Sequence, residues 1–356
     1  MADKKVSPCA LDILDSFRHA SSPLDTEGAL PASQVCKRAT GSKRGRTKRR
    51  NDVCKSETNA RKRVKMERHT QETIKGLVLV RNPLKSERNL RCESHNRGGT
   101  LVKMLRKLSD ELETLQFPED IWVYNPLKYA SLSAEMYMQR YGEDVNDAGR
   151  ILFVGMNAGP WGMVQTGVPF GDVTFVRDWM GIESAVEQPS RVHPKRRVDG
   201  FQVHRGEKSG ERLWGLMKDT CGSASEFFKR AFVYNYCPLA FFRGPKGKNV
   251  TPDRIPHRKR LLEICDEAFG TLVSQISPAF IIGIGNFAFS RIQAATNPST
   301  PKSKSKLSIK PKLGLVLHPS PASPKANKGW ARQAIAQMQD IGCWAVLSSP
   351  PELEQG

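Results

Sequence analysis

A chain of 356 residues is long enough to bury a full hydrophobic core, and its formal net charge of +20 fits an anionic partner. Eight cysteines, at 9, 36, 54, 92, 221, 237, 265 and 343, show no CxxC spacing, which argues against a disulfide framework and against a zinc or iron–sulfur site. No apolar run approaches the roughly 18 residues that span a bilayer, and the first residues lack the apolar stretch of a secretory signal, so a soluble intracellular protein without membrane contact or cofactor is expected.

The charge is unevenly placed. Residues 1–100 carry 23 Lys and Arg against 11 Asp and Glu, with few aromatics, which predicts a basic disordered tail over 1–98. Two clusters within it, 43–50 and 61–65, read as a two-part nuclear localisation signal. They imply a nuclear import receptor as partner and the nucleus as location. The same charge also binds nucleic acid without sequence preference. A folded domain over 99–347 and a short tail over 348–356 complete the division.

Leu101, Leu105, Leu108, Leu112 and Leu115 recur at helical spacing and predict an amphipathic helix over 100–116. A strand over 151–156 runs into a loop, 155–171, with five glycines and two prolines in 17 residues. Such a backbone turns sharply, approaches something closely and retains little freedom. Asp172 in its first turn marks a helix over 172–182. A Pro- and Arg-rich excursion over 189–208 leads to a helix over 211–221 and a second strand over 231–234. The basic loop 243–253 ends in Thr251 as N-cap with Pro252 at the first helical position, predicting a long helix from there to 276. Strands over 279–282 and 313–317 and a last helix carrying Ala334, Ile335 and Met338 follow. His193, His204 and His257 are expected at the surface.

Apolar strands alternating with helices predict an α/β domain, a three-layer α/β/α sandwich around a mainly four-stranded parallel sheet. Ligands of such sheets sit beyond the carboxyl ends of the strands. Asn157, Asn235 and His318 are expected at those ends, with Phe170 in the glycine-rich loop. Two amides, an imidazole and a ring include no strong nucleophile and no carboxylate base. They suit a planar heterocycle, since a carboxamide offers donor and acceptor side by side and an aromatic face stacks on a base. A competing GxGxxA match, 283–288, follows a strand but has no acidic residue about 20 positions onward, and reads as tight strand–helix packing.

GMNAGP at 155–160, QTGVPFG at 165–171, NYCPL at 235–239, KNVTP at 248–252 and HPSP at 318–321 with ANKGW at 326–330 occur in one order. Over roughly 120–345 the chain resembles the single-strand-selective monofunctional uracil-DNA glycosylases. The resemblance implies a hydrolase that takes uracil and C5-modified uracils such as 5-hydroxymethyluracil from single- and double-stranded DNA, leaving an abasic site for base excision repair. It implies that Asn157 orients the water, with Met156 contributing backbone, and that His318 donates to uracil O2. Asn235 would pair with the uracil edge and Phe170 would stack on its face. Gly159 and Met163 would border C5. Segment 318–324, with Ser320 and Pro321, would wedge into the helix with Lys325 and Lys328 near phosphates, though Ala158 and Ala322 stand where vertebrate members typically carry Pro and Arg. Lys246, Lys248, Asn249, Thr251, Arg254, Arg258, Lys259 and Arg260 would form a second DNA contact at a helix N-terminus. A monomer is expected. The alternative is a damage-binding DNA protein that has lost excision.

Overall fold

The computed structural model describes residues 97–143, 150–296 and 310–349; most of the expected basic tail with its localisation signal, most of a Lys- and Ser-rich stretch over 298–312 and all but the first two residues of the expected C-terminal tail lie outside them. In chain order the helices are α1 (Arg97–Glu113), α2 (Pro126–Tyr129), α3 (Ser131–Glu143), α4 (Met163–Thr166), α5 (Lys208–Cys221), α6 (Ala224–Arg230), α7 (Lys259–Ile276), α8 (Asn286–Thr296), α9 (Trp330–Ile341) and α10 (Trp344–Ser348). The strands are β1 (Ile121–Tyr124), β2 (Ile151–Asn157), β3 (Ala231–Cys237), β4 (Ala240–Arg243), β5 (Lys248–Val250), β6 (Phe280–Ile284) and β7 (Lys312–Val316).

Four of these strands form the predicted parallel sheet, in the order β3-β2-β6-β7. Every residue of β3 is buried, as are the first five of β2, which is why both read as unbroken apolar runs. Helices α7 and α8, with α1 packed outside α7, cover one face; α5, α6, α9 and α10 cover the other. The result is an α/β/α sandwich. From β2 the chain goes outward to β3 and then crosses to β6 on the other side of β2. Such a reversal opens a crevice at the carboxyl ends of the strands. Register then decides which residues meet there: Gly155 lies beside Asn235, and Asn157 beside Cys237.

A second, antiparallel sheet, β1-β4-β5, was not anticipated. Its strands are three or four residues long, too short for periodicity to announce them. The short helices α4 and α10, and α2, α3 and α6, were not expected either. The helix expected over 172–182 is instead brief and widens into a π turn, Phe175–Trp179, in which Met180 N–H donates to Phe175 O. Asp172 precedes it, accepting from Thr174 N–H at 3.1 Å.

Two further expectations are corrected. The long helix begins at Lys259, because Pro252–Arg254 forms a separate 3-10 turn and the Thr251 side chain caps nothing. His193 is 1 % exposed, not at the surface. Its Nε2 faces Gly244 O at 2.9 Å and its Nδ1 accepts from Lys195 N–H, joining the 189–208 excursion to the loop after β4. His204 and His257 are exposed. At 283–288 the packing reading is supported: a Cβ on Gly283 would stand 2.6 Å from backbone atoms of Phe289 in α8. No described helix is long and apolar enough to cross a membrane.

Candidate active site

At the end of β2 the Asn157 amide nitrogen donates to Leu239 O at 3.1 Å and to Ala158 O at 3.3 Å. Carbonyl oxygens only accept, so these two contacts fix the NH₂ group inward and leave Oδ1 as an outward acceptor. On β3, Asn235 is 3 % exposed. Its nitrogen faces only the Met163 thioether, at 3.3 Å, and its Oδ1 accepts no hydrogen bond among the described residues. A buried amide in that state costs on the order of 1–3 kcal/mol until a ligand satisfies it. Asn235 and Met163 also line a small cavity with Tyr234, Pro169 and Pro238.

Gly155 makes this arrangement possible. A Cβ there would stand 2.2 Å from Asn235 Oδ1 and 2.6 Å from the Phe170 ring, so only glycine lets amide and ring close over the strand. Phe170 adopts φ 52°, a left-handed conformation rare for a ring-bearing residue. Its carbonyl is claimed twice, by Asp172 N–H at 2.7 Å and by the Trp214 indole N–H at 3.1 Å, which over-determines the strained backbone. The ring lies 6.0 Å from that of His318, tilted by 40°.

His318 follows β7 by two residues. Burial pushes its imidazole down to about 4, so at neutral pH it is an uncharged donor–acceptor. The segment behind it is tightly folded. Arg212 on α5 donates to Pro319 O at 3.1 Å and to Asn327 Oδ1 at 2.9 Å, and Asn327 donates on to Pro321 O at 2.9 Å. Ser320 Oγ accepts from Ala322 N–H at 3.2 Å. Pro321, Lys325 and Lys328 are exposed.

The glycine-rich loop is held from behind by Glu207, a carboxylate that sequence reasoning overlooked. It accepts from Trp161 N–H at 3.2 Å. A Cβ on Gly159 would meet its Oε2 at 2.7 Å and one on Gly162 its Cγ at 2.9 Å, so the direction vacated at Gly159 is filled by Glu207. Burial above all raises the Glu207 pKa. Arg212 and Glu207 were illegible because their partners, Pro319 O and Asn327 Oδ1 for the one and Trp161 N–H for the other, lie in loops far away in sequence.

The structure brings Asn157, Gly159, Met163, Phe170, Asn235 and His318 to one end of the sheet; Met156 is half-buried on β2 beside them. The predicted second DNA contact is separate from them. Lys246, Lys248 and Asn249 are exposed on the β4–β5 hairpin and Thr251 is half-buried after it, while Arg254, Arg258, Lys259 and Arg260 are exposed before and within the first turn of α7. Arg260 is shared with Glu263 at 3.4 Å.

No protein-family model matches the chain. A protein of Rattus norvegicus described as a single-strand selective monofunctional uracil-DNA glycosylase is 43% identical over 253 residues, covering 70% of this chain and 86% of its own. Proteins of the same description from Mus musculus and Bos taurus are each 41% identical, over 262 and 256 residues, and each is covered for 89% of its length. Among solved structures, one titled as wild-type Pedobacter heparinus SMUG2 matches 69% of this chain and 99% of its own at 15% identity and a TM-score of 0.47, too distant to bear on fold or function.

Proposed function

The chain belongs to the single-strand-selective monofunctional uracil-DNA glycosylases, and we propose that its pocket excises uracil and C5-modified uracils such as 5-hydroxymethyluracil from single- and double-stranded DNA. The uracil-DNA glycosylase activity itself follows from membership, as does its class, hydrolysis of an N-glycosidic bond. The rest rests on the residues. The target base is drawn out of the strand and laid on Phe170. Asn235 accepts from uracil N3–H through Oδ1 and donates to O4 through its nitrogen. Cytosine presents the opposite polarity, a donor at N4 and an acceptor at N3, and would leave buried groups unpaired.

The C1′–N1 bond then breaks with its electron pair going to the base, and the sugar takes on oxocarbenium character. His318, uncharged, donates its N–H to O2 where negative charge gathers, an effect worth roughly 3–4 kcal/mol for one such donor. Asn157 Oδ1, with the Met156 backbone, accepts a hydrogen bond from the water that adds to C1′. An asparagine positions that water without deprotonating it, so the reaction relies on positioning more than on base catalysis. One proton of the added water passes to solvent once the new C1′–O bond has formed, the other stays on the new hydroxyl, and the departing base anion takes a proton from solvent.

In duplex DNA the 318–324 segment acts as the wedge, with Ser320 and Pro321 along it and Lys325 and Lys328 near phosphates just after it. Lys246, Lys248, Asn249, Thr251, Arg254, Arg258, Lys259 and Arg260 meet backbone phosphates. Gly159 and Met163 border C5 of the base. We further propose that the protein acts as a monomer in the nucleus, carried there by an import receptor that reads the basic tail, to begin base excision repair.

The observation that carries the reading is the buried Asn235 amide with its oxygen unpartnered, a donor–acceptor pair awaiting a heterocycle edge. The test is release of uracil from a labelled single-stranded oligonucleotide without added metal or nucleotide, with His318→Leu slower by roughly 10²–10³-fold and binding largely retained. A folded, DNA-binding protein that releases nothing would be the damage-binding alternative.

A further inference from the structure

On the side of the pocket formed by the glycine-rich loop lies a surface that the chemistry above leaves unused. Trp161, half-buried in the 159–162 turn, has the Arg205 guanidinium 4.6 Å from its ring centroid and that of Arg196 at 5.6 Å. Neither arginine meets a carboxylate among the described residues. Packing on a ring fixes the plane of a guanidinium without consuming its N–H donors. Arg205 therefore keeps its whole fork. Arg196 spends only Nε, on Gly247 O at 2.8 Å, and keeps both terminal nitrogens.

The frame beneath is rigid. Gln165, fully buried, donates to Pro160 O at 3.0 Å and to Arg197 O at 3.1 Å, while its Oε1 accepts from Asp199 N–H and Gly200 N–H at 2.8 and 3.1 Å. One side chain thus ties the pocket loop to the basic excursion. From the other side the Tyr124 hydroxyl donates to Arg196 O at 2.7 Å. Two positive charges are held on one ring with no carboxylate beside them among the described residues, and burial together with the charge of Arg205 pushes the Arg196 pKa down. An arriving anion removes that cost. Met163, two residues beyond Trp161, touches the Asn235 amide, which places the pair at the lip of the pocket.

We propose that Trp161, Arg196 and Arg205 form a clamp for a backbone phosphate of the DNA strand adjacent to the extruded nucleotide. The clamp rests on DNA being the substrate, but its test reads binding and not excision. Full-length protein is titrated with a short labelled single-stranded oligonucleotide without uracil at several salt concentrations. Arg205→Ala, which disturbs no internal hydrogen bond, is expected to raise Kd roughly five- to tenfold at low salt and to reduce the slope of log affinity against log salt by about 0.7, the loss of one single-strand phosphate contact. Lys103→Ala, an equal loss of charge on the exposed face of α1, leaves both unchanged. On a uracil substrate Arg205→Ala raises KM with kcat within about twofold. When single phosphates are replaced by neutral methylphosphonates, wild type and Arg205→Ala bind alike at one position near the target nucleotide. An unchanged Kd and slope in Arg205→Ala, an equal effect in Lys103→Ala, or the absence of any such position overturns the clamp. A wild type with the expected binding signature that releases no uracil would count against excision alone.

Discussion

Gly155, Asn235 and His318 show how single atoms set the pocket. Adding one methyl at Gly155 drives it into the Asn235 oxygen and the Phe170 ring, so Gly155→Ala is expected to cut kcat/KM by about 10²-fold or more while thermal unfolding shifts little, measured by uracil release and calorimetry. Asn235→Asp presents acceptors only and should weaken uracil recognition, read as a raised inhibition constant for free uracil. His318 has its imidazole depressed to about 4 by burial. Its ring should therefore show no titration between about pH 5.5 and 7.5 by NMR, where an ordinary histidine at about 6.5 changes charge. The sign for stability follows. The unfolded chain binds a proton at this residue below about 6.5 and the folded one only below about 4, so its contribution is complete above pH 6.5 and is lost as pH falls toward 4.

Loops carry the next scale, because His318 and Phe170 sit on loops that other side chains must hold in place, whereas Asn157 and Asn235 are fixed by strands. The 318–328 segment depends on Arg212 of α5, which grips two of its atoms. Arg212→Ala should lower kcat/KM roughly tenfold, with a greater loss on duplex than on single-stranded uracil DNA, and Arg212→Lys should not restore it, since a point charge cannot reach both acceptors. The 159–162 turn depends in the same way on Glu207. Its pKa is raised, so the ionised form is the costly one, and that cost is present once pH exceeds the folded value. Glu207→Gln keeps an acceptor for Trp161 N–H without the charge and is expected to retain or raise the melting temperature at neutral pH; a marked fall would show that the charge itself holds the turn. Gly159→Tyr, a natural way to probe the C5 edge, also displaces Glu207, so a selective loss of 5-hydroxymethyluracil over uracil is informative only if Glu207→Gln preserves both.

For the molecule as a whole, the described domain carries the sheet, the pocket and the proposed phosphate contacts, whereas more than half of the net charge lies in residues 1–96. Deleting that tail should leave the melting temperature and the turnover at saturating single-stranded substrate unchanged, while flattening the salt dependence of DNA binding. Loss of the thermal transition would mean that the tail belongs to the fold. Deleting 43–68 from a fluorescent fusion should release it from the nucleus.

The four parallel strands, α1, α5 and the four polar or aromatic site residues could be read directly from the chain, because a strand buried on both faces must be continuously apolar and a polar residue placed just after it stands out. The order of β3-β2-β6-β7, the pairing of Gly155 with Asn235 and the second sheet could not. Register and crossover depend on contacts between segments far apart in the chain, such as Ile151 with Ala231 and with Phe280, and strands of three or four residues carry no period. The same reason hid Glu207, Arg212, Gln165 and the Arg196–Trp161–Arg205 cluster. Their identities are visible, but their meaning lies in main-chain atoms, a distant side-chain amide and rings that only the folded backbone brings within reach.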